Sequence, residues 1–269
     1  MCIRDSPLNT ICVKPQAIPE LVHSSERLTS PLKKVDGQFK EISWDEALGL
    51  IAEKLTEIKE KDGPQAVNIH VGNPFIATQT EKMARRFSDL YGTPNYSTGS
   101  SFCYYASVIG HVLTCGANLQ PDYQGDAECM VMWGSNRTES GLPFANVIQS
   151  WVAKGAKLIV IDPRSTLMAK EADIHAQIRP GTDCALALGM LNVIISEGLY
   201  DKSFVDEWTV GFDKLAEHVK QYTPERVEEI TWVPAETVRD IARMYATSKP
   251  ASISVGIPTN HSINGVQTV

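Results

Sequence analysis

Two stretches dominated by apolar residues, Glu128 to Trp133 and Lys157 to Ile161, stand out from the mixed pattern around them. Each stops abruptly, the first at Gly134-Ser135-Asn136 and the second at Asp162-Pro163-Arg164. Short runs without alternation predict strands buried on both faces, because a strand with one wet face alternates with period two. Between them Phe144, Val147, Ile148, Trp151 and Val152 recur at the spacing of one helical face over Leu142 to Lys154, and Gly155 follows where a C-cap belongs. Strand, helix and strand in this order predict a parallel βαβ unit.

The pattern repeats more weakly elsewhere. Ser43-Trp44-Asp45-Glu46 is a capping box, and Ala47, Leu48, Ile51, Leu55 and Ile58 continue it as an apolar helical face, closed by Lys59, Lys61 and Gly63. Ala66 to Val71 is a short β-rich run ending at Gly72-Asn73-Pro74, and Thr78 to Tyr91 is a second amphipathic helix ending at Gly92. Asn9 to Gln38 and Thr93 to Ser101 lack periodicity and are expected to be coil and loop. Beyond Asp183, helices are predicted over Ala185 to Ser196, Lys202 to Trp208, Lys214 to Gln221 and Ala235 to Thr247, the last opened by Pro234. A strand over Ala251 to Gly256 follows, and Gly265 to Val269 starts another helix. The expected fold is α/β, with Met130–Trp133, Leu158–Ile161 and Ser252–Val255 in one Rossmann-like parallel sheet flanked by helices.

In an open parallel sheet, ligands sit beyond the carboxyl ends of the strands. Gly134-Ser135-Asn136 and Asp162-Pro163-Arg164 fall there, and Pro180-Gly181-Thr182-Asp183 precedes a further helix. A glycine after a strand lets backbone approach a phosphate, and helix-opening N–H groups donate to anions. Asp162 can accept ribose hydroxyls and Arg164 can neutralise a pyrophosphate, so a nucleotide-like ligand is expected. The plainer alternative is that such turns merely close strands, as in any α/β protein. Cys103 lies at the head of a helix running towards Thr114, where the helix dipole favours a thiolate, so it is a candidate nucleophile or metal ligand. A small buried hydrophobe is the commoner fate of a cysteine, and Cys115, Cys129 and Cys184 fit that description better.

Composition narrows the classes. With 269 residues and 43% hydrophobic content the chain can bury a substantial core. A net charge of -7 and no basic stripe argue against a nucleic-acid partner. No apolar run reaches membrane-spanning length, so direct membrane insertion is not expected. Six cysteines are too few for a dense disulfide framework and are read as reduced or metal-bound. Neither end is expected to be a native terminus. Met1-Cys2-Ile3-Arg4-Asp5-Ser6 looks like translated adaptor sequence, and the chain stops at Val269 just as a helix begins.

Taken in order, Cys12-Val13-Lys14, Glu20-Leu21-Val22-His23 with Arg27-Leu28, Pro31-Leu32-Lys33, Ile42-Ser43-Trp44-Asp45-Glu46-Ala47 and the three turns above resemble one known family. This is the catalytic subunits of the molybdenum or tungsten bis-pterin guanine dinucleotide oxidoreductases, which include formate dehydrogenases, periplasmic nitrate reductases, dimethyl sulfoxide reductases and thiosulfate or polysulfide reductases. The resemblance covers nearly the whole chain. It implies a remnant of an iron–sulfur domain over residues 1–40, the first part of a second α/β domain over 41–95, and a cofactor-binding Rossmann-like domain over 96–269.

By the same resemblance, Cys12 matches the fourth cysteine of a [4Fe-4S] site, whose other three ligands would precede it, and Lys14 lies between cluster and pterin. Pro15 stands where glycine is usual. Cys103 matches the protein ligand to molybdenum or tungsten, and a thiolate suits a metal held by dithiolenes. Tyr104 follows it where formate dehydrogenases have histidine, which counts against formate. Trp133, Gly134, Ser135, Asn136, Asp162, Pro163, Arg164, Gly181, Thr182 and Asp183 match loops holding the guanine dinucleotide arms, and Asp162→Ala and Asp183→Ala are expected to weaken cofactor retention alike. The implied enzyme exchanges electrons between a small substrate and an iron–sulfur cluster, with an electron-transfer iron–sulfur subunit as partner. Two other readings remain: a non-redox hydratase of the acetylene hydratase type, and a metal-free scaffold like the large hydrophilic subunit of respiratory complex I.

Overall fold

A computed structural model describes residues 13–72, 78–99 and 103–269. Cys12 and Asn73-Pro74 lie outside the described residues. The described residues divide into two compact units, one within 14–102 and the other over 103–269.

In the first unit, strands β1 (Leu32–Val35) and β2 (Gln38–Glu41) form an antiparallel hairpin where coil was expected. Its two turn residues, Asp36 and Gly37, both have positive φ, 51° and 81°, the geometry of a primed two-residue turn. The Asp-Gly pair was the available signal; lysines and exposed positions around it hide the strand alternation. Helix α1 (Trp44–Asp62) starts as the capping box predicts, with the Ser43 side chain accepting from Glu46 N at 3.1 Å. Yet Leu48 and Ile51 on its expected core face are 58% and 55% exposed. β3 (Ile69–Val71) and helix α2 (Gln79–Tyr91) follow, and Thr78 caps the helix. The presumed loop after Gly92 contains β4 (Tyr96–Thr98), paired parallel with β3. Three residues, each with a hydroxyl on its side chain, are too few to carry a strand pattern, so the pairing partner makes this strand.

The second unit opens with helix α3 (Tyr105–Cys115). Then come β5 (Cys129–Trp133), α4 (Leu142–Ala153), β6 (Lys157–Ile161), the short α5 (Leu167–Glu171) and β7 (Ile174–Ala176). Four helices follow, α6 (Asp183–Ser196), α7 (Lys202–Trp208), α8 (Phe212–Val219) and α9 (Pro224–Thr231), before α10 (Ala235–Thr247). β8 (Ala251–Val255), a 3-10 turn over Ile257–His261 and α11 (Gly265–Thr268) end the chain. The sheet order is β7-β6-β5-β8 and every pair is parallel, as the βαβ reading requires. Helix α9 was not predicted, although Thr223 as cap and Pro224 in the first turn are the usual start signal.

Alternate residues of each central strand feed two separate cores. Cys129, Val131 and Trp133 with Ile159 and Ile161 meet Leu186, Met190, Val227, Val238 and Ile241 from α6, α9 and α10. Met130, Met132, Leu158 and Val160 meet Ile148 and Trp151 of α4 and Met168 of α5 on the other face. Burial on both sides is why these strands read as unbroken apolar runs.

Candidate functional site

The strand order places a switch point between β5 and β8: the chain leaves β5 towards β6 and β7, then returns to β8 on the opposite side. Loops leaving β5 and β8 diverge there, opening a crevice at the carboxyl ends. The ends themselves stay tied. Gly134 N donates to Ile161 O at 2.8 Å, and Gly256 N donates to Trp133 O at 2.7 Å. Gly134 turns the chain away with φ 56°, a conformation costly for a residue with a Cβ.

A cavity of about 370 Å³ fills this crevice. Gly134 and Asn136 from the β5 turn and Asp162, Pro163 and Arg164 from the β6 turn form two sides. Pro180, Gly181 and Asp183, leading into α6, form another, while Ile161 and Ile178 also line it. The turn after β8 adds Pro258, His261 and Ser262. Its volume is within the ordinary range for small-molecule sites.

Asp162 is only 7% exposed. Its Oδ1 accepts from Arg164 N at 2.8 Å, while no residue among those described bonds to Oδ2. The Arg164 guanidinium stays largely exposed, with Nε 4.0 Å from Asp162 Oδ1. A buried acceptor beside an exposed cation is suited to a sugar hydroxyl or ring N–H next to a phosphate. Gly181, with φ 82° and open space where a Cβ would stand, leaves backbone accessible at the entry to α6.

Three of the expected site residues are engaged elsewhere. The Trp133 indole is buried in the core and its Nε1 donates to Asp183 Oδ1 at 2.8 Å. Ser135 Oγ meets the buried Ser254 Oγ of β8 at 3.4 Å, where Arg137 Nη2 also donates at 3.2 Å. Thr182 Oγ1 donates to Arg179 O at 2.6 Å, closing its own turn. These side chains brace the turns, and none of the three lines the cavity.

Cys103 is half-buried, two residues ahead of α3. Lys14 belongs to the other unit and is exposed on the short helix Val13–Gln16. Among the described residues no three His, Cys, Asp or Glu side chains gather as a metal site. Cys129 is fully buried, and burial pushes its thiol up to about 11, against a hydrogen bond with Ser248. Burial also raises the Cys184 thiol, opposed by hydrogen bonds with Asn264 and Thr268. Cys115, expected to be buried, is exposed at the end of α3 instead.

The sequence pattern of one family, described as molybdopterin oxidoreductase, matches residues 27–269. The chain belongs to the molybdopterin oxidoreductase family. It is 38% identical to acetylene hydratase of Syntrophotalea acetylenica over 98% of this chain and 37% of that protein. It is 34% identical to formate dehydrogenase H of Escherichia coli K12, over 97% of this chain and 38% of the relative. The molybdopterin-containing subunit of thiosulfate reductase from Salmonella typhimurium is 33% identical over 90% of this chain and 32% of its own length. The solved structure of acetylene hydratase from Pelobacter acetylenicus superposes with a TM-score of 0.80 at 37% identity, covering 96% of this chain and 36% of that one. The chain thus spans under two fifths of these relatives.

For a molybdopterin oxidoreductase, sequence reasoning found three of the four walls of the cavity. It missed Pro258, His261 and Ser262, although β8 had been predicted and the rule about carboxyl ends applies to it equally.

Proposed function

We propose that this chain is the part of a molybdenum or tungsten bis-pterin guanine dinucleotide oxidoreductase catalytic subunit that holds one nucleotide arm of the cofactor and offers Cys103 to the metal. The observation that carries this reading is the convergence, in one 370 Å³ cavity, of Gly134, Asp162, Arg164 and Gly181 from three separate stretches of sequence. The donor set fits such a group. Asp162 has a carboxylate oxygen left for a ribose hydroxyl or a guanine N–H, Arg164 an exposed guanidinium for a phosphate, and Gly181 an open backbone. The bound group supplies a redox-active metal on dithiolene sulfurs.

The residues of this chain do the rest. Asp162 and Arg164 orient the nucleotide arm, Cys103 contributes a soft thiolate, and Cys12 with Lys14 lies on the electron path to a [4Fe-4S] cluster. Such a cluster, held in part by Cys12, would carry electrons between the cofactor site and an iron–sulfur partner subunit. Tyr104, in place of the histidine of formate dehydrogenases, favours a substrate other than formate. Non-redox hydration is a second reading, favoured by the 38% identity to acetylene hydratase.

The test uses the complete protein made with its cofactor. Asp162→Ala removes a charge-assisted acceptor, so metal and guanine nucleotide per polypeptide should fall about tenfold or more. Equal contents in variant and parent refute the cavity assignment. Turnover of sulfur or nitrogen oxoanions with a reduced viologen supports the oxidoreductase. Hydration of acetylene without an electron donor or acceptor supports the hydratase.

A further inference from the structure

We propose that Asn260 is the positioning residue for Cys103, and that the turn after β8 is a strut joining the cysteine's helix to the nucleotide cavity. The functional half of this inference rests on Cys103 being the metal ligand.

Helix α3, which follows Cys103, has no local cap: Tyr104 occupies the N-cap position and its side chain makes no capping bond. First-turn N–H groups need an acceptor, which a serine, threonine, aspartate or asparagine just before the helix normally gives. Here the acceptor comes from 153 residues away. Ser107 N donates to Asn260 Oδ1 at 2.6 Å, and Ser107 itself is buried.

A second contact grips the same face one turn on. A Cβ on Gly110 would stand 2.9 Å from the backbone oxygen of Val266, so α3 and α11 meet with no room for a side chain. Ser107 and Gly110 are three residues apart and share one helix face. The gripping segment is itself fixed. Thr259 is 1% exposed and its Oγ1 donates to Gly256 O at 2.8 Å, while Gly265 packs so closely on Asn260 O that a Cβ there would lie 2.7 Å from it.

The same turn contributes Pro258 and His261 to the cavity wall. Asn260 therefore holds the first turn of α3 at Ser107, four residues beyond Cys103, from the turn that also lines the proposed nucleotide cavity. Small misplacements of a reacting group cost large factors in rate, so this tie bears on turnover as well as on folding. Its Oδ1 makes the cap, whereas Nδ2 is buried without a hydrogen-bond partner among the described residues. Aspartate keeps the acceptor and adds a charge favoured at a helix N-terminus, so it should substitute.

The test compares parent, Asn260→Ala and Asn260→Asp in the complete protein, with and without cofactor. In the cofactor-free form, amide hydrogen exchange in the first turn of α3 and iodoacetamide alkylation of Cys103, both read by mass spectrometry, should quicken roughly fivefold in Asn260→Ala, the population shift that loss of a helix cap allows. In the loaded form kcat should fall at least tenfold with KM little changed. Asn260→Asp should restore all three. Unchanged exchange and alkylation in Asn260→Ala overturn the strut, as does an Asn260→Asp variant no better than Asn260→Ala. Unchanged turnover in Cys103→Ala removes the functional half separately, leaving exchange and alkylation to judge the strut.

Discussion

Gly256→Ala is the sharpest test of how the site is built. Gly256 has extended backbone, φ −89° and ψ 164°, which any residue adopts, so only space demands glycine there. An added Cβ would stand 2.5 Å from the Gly134 carbonyl carbon, nearer still to its oxygen, and 3.0 Å from Ser135 N. All three obstacles are backbone and cannot rotate away. The ends of β5 and β8 must part by roughly 1.5 Å for the Gly134 oxygen to reach ordinary contact. That movement stretches the 2.7 Å bond from Gly256 N to Trp133 O. Overpacking costs about 1–3 kcal/mol and a lost backbone hydrogen bond about 1 kcal/mol more. A total near 2–4 kcal/mol lowers the melting temperature of a unit this size by about 5–15 °C. Because Gly134 lines the cavity, guanine nucleotide content should fall as well. Circular-dichroism melting and nucleotide release on acid hydrolysis read the two effects. A variant melting within about 2 °C of the parent and fully loaded would refute the idea that this contact sets the cavity.

Asp183→Ala should not mirror Asp162→Ala: it strips the acceptor from the buried Trp133 indole N–H, so melting should show a loss of about 1–3 kcal/mol, with Asp183→Asn recovering part of it. Cys129 should make the protein sensitive to alkali. Its folded thiol is raised to about 11 by burial while the unfolded thiol ionises near 9, so this contribution is whole below pH 9 and is lost as pH rises through 11. Melting temperatures from pH 8 to 11 should decline less steeply in Cys129→Ala, and parallel curves would contradict the assignment. Cys103→Ala should melt within about 2 °C of the parent while turnover falls by orders of magnitude; a structural cysteine would instead cost about 1 kcal/mol or more and leave turnover of the folded protein unchanged.

The sequence by itself determined the elements whose signal is local. The runs at 129–133 and 157–161 read as strands buried on both faces, Ser43 and Glu46 mark a helix start, Gly134 and Asp162 follow from the ends of those strands, and Gly181 follows from the Pro-Gly-Thr-Asp turn ahead of the next helix. The Asp36-Gly37 hairpin and the Thr223-Pro224 helix start were equally local and were overlooked. Other features exist only through partners distant in the chain. Tyr96–Thr98 is a strand because Ile69–Val71 lies beside it, and Gly256 must be glycine because the Gly134 carbonyl occupies the space. Asp183 is committed to an indole 50 residues earlier, and α3 is capped by Asn260, which no window around Tyr104 contains. Local pattern reports what a segment prefers and which face it hides. Which backbone fills a given gap, and which donor a given carboxylate meets, is fixed only when β8 returns beside β5 at the switch point.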